Sequence, residues 1–433
     1  MSLRTQVALS LSVGLSSFAF AGAAHGQAFY LQEQSARGAG RAFSGEVADT
    51  GPSSLWWNPA AIAETTDIEA AIAASAILPR GKVTDTGTLI GRPGQPLAPV
   101  GGDATTRNPI DNGVLPSGAI AVPLSSRVAV GLAVSSPYSF TTDYPATSWA
   151  RYSAMRTKLR TIDIQPSIAF AATDWLRIGA GVNVEYTDAS LGNALPNLLA
   201  TLPDGRQRLK GNGWDVGWTA GVQLHNDWAT VGVSYKSAIK HHLNGDLDIT
   251  GLVGPLAPSN MSLSDIEATF YTPAQIIVGG RFRATDRLTL NAQAVRFTWN
   301  KFDAIRLGEP LNTALPENYR NSWSLAGGVD YAVSPKLTLR AGVQRATTPT
   351  VNGERDARVP DANRWNFGAG ASYDLSRRFT IDAAANYVDF ADATIDRVTA
   401  AYVGTPAQTP ILTSGELTDA HAIVLSLGGR FRF

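Results

Sequence analysis

A chain of 433 residues is long enough for several soluble domains or for one large barrel. Its formal charges balance, with 36 Lys and Arg against 36 Asp and Glu, and only 17% of residues are charged, which excludes a global basic field of the kind that recruits nucleic acid. A hydrophobic content of 44% and a mean hydropathy of −0.04 do not separate a soluble protein from a transmembrane barrel, in which only alternate residues face lipid, and the absence of cysteine suits an exported bacterial chain crossing an oxidising compartment.

Residues 1–26 are predicted to be a secretory signal. Arg4 supplies the positive start, residues 7–24 form a soft apolar run, and Ala24 and Gly26 place small residues where a signal peptidase reads, so cleavage is expected before Gln27. No other stretch has the roughly 20 continuous apolar residues of a membrane-spanning helix. The mature chain is therefore expected either to be soluble and exported or to cross the membrane as a barrel.

Residues 27–65 have no clean period. Small residues cluster at Ser35, Ala36, Gly38, Ala39, Gly40, Ala42, Ser44 and Gly45, and Leu55-Trp56-Trp57 runs straight into Asn58-Pro59-Ala60. Proline disfavours a helical conformation at the residue before it and suits the first position of a helix, so Asn58 is predicted to cap a short helix in a segment folded into a confined space. The motifs Gly38-Ala39-Gly40-Arg41-Ala42-Phe43-Ser44-Gly45-Glu46 and Asn58-Pro59-Ala60, in this order just after a signal, resemble the N-terminal hatch of the FadL family of outer-membrane fatty acid transporters. The organisation expected on that basis is a signal over 1–26, a hatch over 27–65 and a transmembrane barrel over 66–433.

From residue 66 the chain is a series of alternating segments of roughly ten residues, the pattern of strands with one face on lipid or a core and the other wet. Leu176, Ile178, Ala180, Val182, Val184 and Tyr186 share one face, with Arg177, Gly179, Gly181, Asn183 and Glu185 on the other. Fourteen strands are predicted, centred near 73, 119, 131, 165, 181, 218, 233, 277, 294, 326, 341, 368, 384 and 426; the ambiguous ones lean on the family resemblance. Tight turns at Asp174, Asp227, Asp286, Ser334-Pro335 and Ser376-Arg377 alternate with long connections over 80–115, 139–154, 189–211, 250–267, 303–318, 347–360 and 391–417, as short periplasmic turns alternate with long outer loops. The last segment places Ile423, Leu425, Leu427, Phe431 and Phe433 on one face and resembles the signal read by the barrel assembly machinery. The fold expected is all-β: a 14-stranded antiparallel transmembrane β-barrel whose closure leaves no unpaired edge in lipid, with the N-terminal segment plugging its lumen. A secreted sandwich or propeller is the alternative, and no propeller-like repeat is present.

Catalytic chemistry is sparse. His225, His241, His242 and His421 show no metal-ligand spacing and are read as solvated loop or turn positions, and there is neither a Gly-x-Ser-x-Gly elbow nor a P-loop. No enzyme activity, cofactor or metal is expected. Leu191, Leu195, Leu198, Leu199 and Leu202 within 190–203 form an apolar patch that an exterior loop exposes only with a reason. Tyr138, Tyr144, Trp149 and Tyr152 gather after the third strand, as interface anchors or as substrate contacts.

The resemblance implies a passive transporter of hydrophobic molecules, with long-chain fatty acids first and aromatic hydrocarbons second; a surface adhesin or phage receptor is the rival reading. It implies a landing groove on the loops, with Leu191, Leu195, Leu198, Leu199, Trp149 and Tyr152 as substrate contacts, and a hatch gate formed by Gly38, Gly40, Gly45, Asn58, Pro59 and Ala60. Phe29 resembles the apolar hatch residue that touches cargo. Exit is implied to be sideways, beside a third strand that Gly131 or Pro137 breaks. A fatty carboxylate would require a cation, for which Arg151, Arg160 and Arg340 are available. The partners expected are a hydrophobic small molecule, outer-membrane lipid and lipopolysaccharide, and the barrel assembly machinery through Phe433; no nucleic acid partner is expected, and a monomer suffices.

Overall fold

A computed structural model describes residues 28–433; the predicted signal over 1–26 and Gln27 lie outside the described residues. Fourteen antiparallel strands close into one barrel. They are β1 (Glu69–Asp85), β2 (Gly113–Pro123), β3 (Val128–Ser135 continued by Ser139–Asp143), β4 (Arg156–Thr173), β5 (Leu176–Leu195), β6 (Gly205–His225) and β7 (Ala229–Lys236 with Ile239–Thr250). The second half comprises β8 (Met261–Thr272 with Gln275–Arg283), β9 (Leu288–Phe297 with Ala304–Leu307), β10 (Thr313–Pro316 with Ser322–Ser334), β11 (Leu337–Ala346), β12 (Arg364–Ser376), β13 (Phe379–Phe390 with Ala393–Ala401) and β14 (Thr409–Arg432). Each of the fourteen predicted centres falls in a different strand of this set. Pairing of β1 with β14, from Glu69↔Arg432 to Arg80↔His421 and beyond, closes the ring and satisfies backbone groups that lipid could not.

The alternation read from the sequence becomes inside and outside. On β6, Trp214, Val216 and Trp218 are 52–66% exposed, while Asp215 and Thr219 between and beyond them are buried in the lumen. On β14, Ile423, Leu425 and Leu427 face out while Ala422, Val424 and Ser426 face in. Such an apolar exterior is stable only against lipid.

The strands run further than the sequence pattern suggested. β5 extends to Leu195 and β6 begins at Gly205, so the connection expected over 189–211 shrinks to 196–204; β13 and β14 likewise shorten 391–417 to 402–408. Beyond the membrane a hairpin packs both faces on protein or water, and the lipid-facing alternation that marks a strand fades.

Residues 28–65 fill the lumen as a four-residue α-helix (Ala36–Ala39) and three short 3-10 turns, ending in Pro59–Ile62. Their Phe29, Tyr30, Phe43, Val47, Leu55, Trp56, Trp57 and Ile62 join inward wall residues such as Ile277, Val295 and Phe297 in the main hydrophobic cluster. The core of this protein is its plugged lumen.

Candidate functional site

The lower part of the N-terminal segment is fixed by close backbone approach and by buried charge. Asn58 caps the last turn: its Oδ1 accepts from the Ala60 N–H at 3.0 Å and its Nδ2 donates to the Val47 carbonyl at 2.7 Å, with Pro59 at the first helical position. The turn lies directly on the wall, where a Cβ at Gly179 of β5 would sit 2.5 Å from the Pro59 carbonyl carbon, and one at Gly342 of β11 would overlap the Arg41 backbone. Gly40 abuts Gly370 of β12, Gly38 leaves space for the Glu46 side chain, and Gly45 adopts a φ of 72° that other residues rarely take.

Arg41, fully buried, pairs with Glu46 and Asp49 of the same segment and with Asp330 of β10 at 3.2 Å. Arg281 of β8 reaches both Asp49 (3.2 Å) and Asp330 (2.8 Å), which ties segment to wall. Burial opposes ionisation of Asp49, but the guanidinium groups of Arg281, Arg37 and Arg41 outweigh it and hold this carboxyl well below the usual range.

The upper end is held differently. Ala28 N–H donates to Asp361 Oδ2 at 2.9 Å, Leu31 N–H donates to the Pro137 carbonyl at 2.7 Å, and the Phe29 carbonyl accepts from Ser139 N–H at 3.1 Å. Pro137 lies in the interruption of β3 between Ser135 and Ser139, so the start of the described chain pairs with the break in the wall. Gly131 is fully paired on both sides, and its missing side chain makes room for Ile62 and Leu55; the interruption belongs to Pro137. Pairing of β2 with β3 stops at Gly118↔Val134, and beyond it, among the described residues, two isolated bridges, Ile110↔Thr142 and Asp103↔Ser148, join the two sides.

Phe29 sits in an aromatic box. Its ring lies 5.0 Å from Trp299, 5.5 Å from Phe302 and 5.7 Å from Phe140, at separations where aromatic pairs attract. Above it opens a cavity of about 700 Å³, counted to its mouth, walled by Phe29, Leu159, Leu191, Leu243, Ile266 and Phe270. Lys158, Lys210, Arg358 and Glu317 also line it. Lys158 is committed to Asp188 at 2.7 Å and Lys210 to Asp246 at 3.0 Å. Arg358 donates to the Ser153 carbonyl at 2.6 Å, and its Nε has no hydrogen-bond partner among the described residues. Burial pushes the Glu317 carboxyl up to about 7; Arg397, 3.8 Å away and already bound to Asp356 at 2.9 Å, counters this only in part.

The structure therefore brings Phe29 and Leu191 together in one cavity and leaves the other expected contacts outside it. Leu195 and Leu198 pack with Leu252 and Leu256 in a cluster among the outer loops, and Leu199 is 54% exposed at the loop tip. Trp149 is buried with Val83, Tyr144 and Leu417, where its ring fills the space left by Gly415. Tyr152 packs on Ile90 and Ile411 and donates its hydroxyl to Asp204 at 2.7 Å. These two aromatics join loops to one another. Arg151 pairs with Asp204 and Arg340 belongs to the Asp330 network, so neither supplies the cavity's cation. His241, expected to be solvated, is buried on β7 against Phe270 and Thr272; the alternation of β7 had the information to place it inside. Arg358 and Glu317 lie on irregular connections, where no periodicity could single them out. Among the described residues no group of His, Asp and Glu is arranged to hold a metal.

Comparison with known proteins fits this geometry. Residues 17–433 match the family described as outer membrane protein transport protein (OMPP1/FadL/TodX). The long-chain fatty acid transport protein of Escherichia coli O6:H1 is 25% identical over 425 residues, covering 89% of this chain and 91% of that one. The crystal structure of a Pseudomonas aeruginosa FadL homologue aligns with a TM-score of 0.82 at 25% identity, covering 94% of this chain and all of the other. The Pseudomonas putida toluene transporter TodX shares the fold, with a TM-score of 0.65 at 17% identity over 92% of this chain and 98% of its own. With the closed fourteen-strand wall and a match across nearly the whole sequence, this chain belongs to the OMPP1/FadL/TodX family of bacterial outer-membrane proteins, channels for hydrophobic compounds and not enzymes.

Proposed function

We propose that the protein carries long-chain fatty acids, or amphiphiles like them, passively across the outer membrane, with residues 28–65 acting as a hatch. The observation that carries the reading is the composition of the cavity above Phe29: apolar walls for a chain, and beside them the Arg358 guanidinium for an anionic head. Each buried methylene contributes about 0.8 kcal/mol, so an acyl chain needs no energy source to enter, and a carboxylate on a guanidinium adds a charge-assisted pair. A neutral aromatic hydrocarbon would use the walls and make no use of the Arg358 charge. The fatty acid transporter among the relatives agrees with this choice; the toluene transporter shares only the fold.

The path follows from the same contacts. Cargo collects among the apolar loop residues Leu195, Leu198 and Leu199 and enters the cavity against Phe29. Displacement of Phe29 strains its backbone bond to Ser139 beside the β3 interruption, where the seam with β2 is nearly unpaired and opens sideways to lipid. Cargo shifts this gate only by binding its open form better than its closed form.

The test is equilibrium binding of a radiolabelled long-chain fatty acid and of toluene to purified, refolded protein, with and without residues 27–38. Saturable fatty acid binding that the deletion weakens supports the reading; toluene binding alone moves the cargo to aromatic hydrocarbons, and binding of neither removes the transport reading.

A further inference from the structure

The outer surface of β9–β13 carries a pattern that passage through the lumen does not use. Trp323 and Tyr331 stand eight residues apart on β10, and Trp365 and Tyr373 repeat that spacing on β12. All four face out, 44–47% exposed. The residues of the same face between them are apolar: Leu325, Gly327 and Val329 on β10, Phe367, Ala369 and Ala371 on β12.

Eight residues at about 3.4 Å each span about 27 Å along a strand, or roughly 20 Å in height at the tilt of an outer-membrane barrel, close to the height of its apolar band. Aromatic side chains mark the two edges of such a band. The tyrosines adjoin the tight turns at Ser334-Pro335 and Ser376-Arg377, on the periplasmic side. The tryptophans therefore lie at the opposite edge, at the level of the outer-leaflet headgroups.

At that edge each tryptophan holds an arginine. Arg296 of β9 stands directly across from Trp323, its guanidinium carbon 4.9 Å from the ring centroid. Arg345 of β11 stands directly across from Trp365, at 5.2 Å from that ring. A cation is attracted to a ring face at these distances. Both arginines are half-buried, and among the described residues neither side chain forms an ion pair or a hydrogen bond. Asp389, the acid of this row, lies on β13 beyond Trp365 and two strands from Arg345. The rings thus fix two guanidinium groups, on strands about 10 Å apart across the sheet, whose donors have no protein acceptor. Unpartnered charge is costly on a lipid-facing wall, so an acceptor must come from the lipid.

Phosphate suits them, because a guanidinium fork donates to its oxygens in pairs. In the outer leaflet of a bacterial outer membrane the lipid that bears phosphate is lipopolysaccharide. We propose that Arg296 and Arg345, braced on Trp323 and Trp365, seat the phosphate groups of a lipopolysaccharide against the outer face of the barrel. The seat lies outside the wall and does not depend on which cargo the lumen takes.

The test titrates full-length protein, refolded in a neutral detergent free of lipopolysaccharide, with rough lipopolysaccharide, with the same material after enzymatic removal of its phosphates, and with phosphatidylglycerol. Wild type is compared with R296Q/R345Q, with R296K/R345K and with R127Q, which alters an exposed cation of a tight turn at the opposite end, paired with Asp174 at 2.9 Å. Wild type and R127Q are expected to prefer the phosphorylated form by about tenfold or more, and the glutamine variant to bring the two forms within about twofold, given the strength of basic residues at an anionic surface. The lysine variant keeps both charges and loses the forks, so it should retain a preference of at least about threefold. A preference that is absent from wild type, that survives in the glutamine variant, that R127Q also removes, or that the lysine variant loses as completely as the glutamine variant overturns the proposal. Phosphatidylglycerol binding as tightly as lipopolysaccharide, and equally sensitive to R296Q/R345Q, would make the seat one for any phosphate headgroup and overturn the lipopolysaccharide assignment.

Discussion

Glu317 sets a sharp test of the cargo reading. Its carboxyl lines the same apolar cavity as Arg358, and burial raises its pKa from 4.5 to about 7. That shift amounts to about 3 kcal/mol against placing a negative charge there. The sign follows from linkage. A carboxyl raised in the folded state contributes stability that is fully present below its unfolded pKa near 4.5 and is lost as pH rises through 7. For cargo the same titration acts directly, because an anionic headgroup enters well only while Glu317 is neutral. The neutral fraction is about 0.9 at pH 6 and about 0.1 at pH 8, so the apparent Kd should weaken by roughly ninefold across that interval. The assay is equilibrium binding of laurate, kept below micelle-forming concentration, to wild type and to E317Q. Wild type should show the ninefold slope, E317Q should bind about as tightly at pH 8 as at pH 6, and toluene should show no slope in either. A pH-independent wild-type Kd, or the same slope in E317Q, refutes the pairing of a carboxylate cargo with this cavity.

Three further outcomes follow from the contacts around the segment. R358Q should weaken laurate binding by about tenfold, the cost of one charge-assisted hydrogen bond, and leave toluene binding unchanged in the same assay. D49N leaves Arg41 and Arg281 short of a carboxylate partner in the lumen and should loosen residues 36–50 by about 3 kcal/mol, read as faster amide exchange there with the strands unaffected. G342V would drive a side chain into the Arg41 backbone, so the segment must shift, and single-channel recordings in a planar bilayer should show ion leakage absent from wild type.

The barrel was legible because lipid enforces a period of two on every spanning strand. Trp214, Val216 and Trp218 alternate with Asp215 and Thr219 whatever the loops do, and the tight turns at Asp174 and Ser376-Arg377 bound the strands from below. Asn58-Pro59-Ala60 was readable as a capped turn because capping is local chemistry. The cavity was not readable. Leu191 looked like a loop residue because β5 continues past the membrane, where alternation no longer reports which face is inside, and Trp149 offered no sign of whether its ring meets cargo or Gly415. Arg358 and Glu317 reach the cavity from connections distant in sequence from Phe29, through folding that only the closed barrel defines.

The two ends of the N-terminal segment differ in what holds them, and this limits how a gate could work. Moving residues 36–62 would break the Arg41, Asp49 and Asp330 ties, and separating buried pairs of this kind costs about 3–5 kcal/mol for each partner removed. It would also lift Pro59 and Ala60 from the wall at Gly179. Moving residues 28–31 breaks the backbone bonds to Pro137 and Ser139, at about 1 kcal/mol each, and the Ala28 bond to Asp361, at about 2 kcal/mol, and repacks the aromatic box around Phe29. A ligand can shift an equilibrium only by its differential affinity, and a few methylenes at about 0.8 kcal/mol each match the second cost and not the first. Cargo should therefore move the upper end alone. Amide exchange with laurate bound should change at residues 28–34 and across 136–140 of β3, while residues 38–62 stay as protected as in the free protein. Uniform exposure of 28–62 on binding would show that the whole segment leaves as one body, and the division drawn from these contacts would fall.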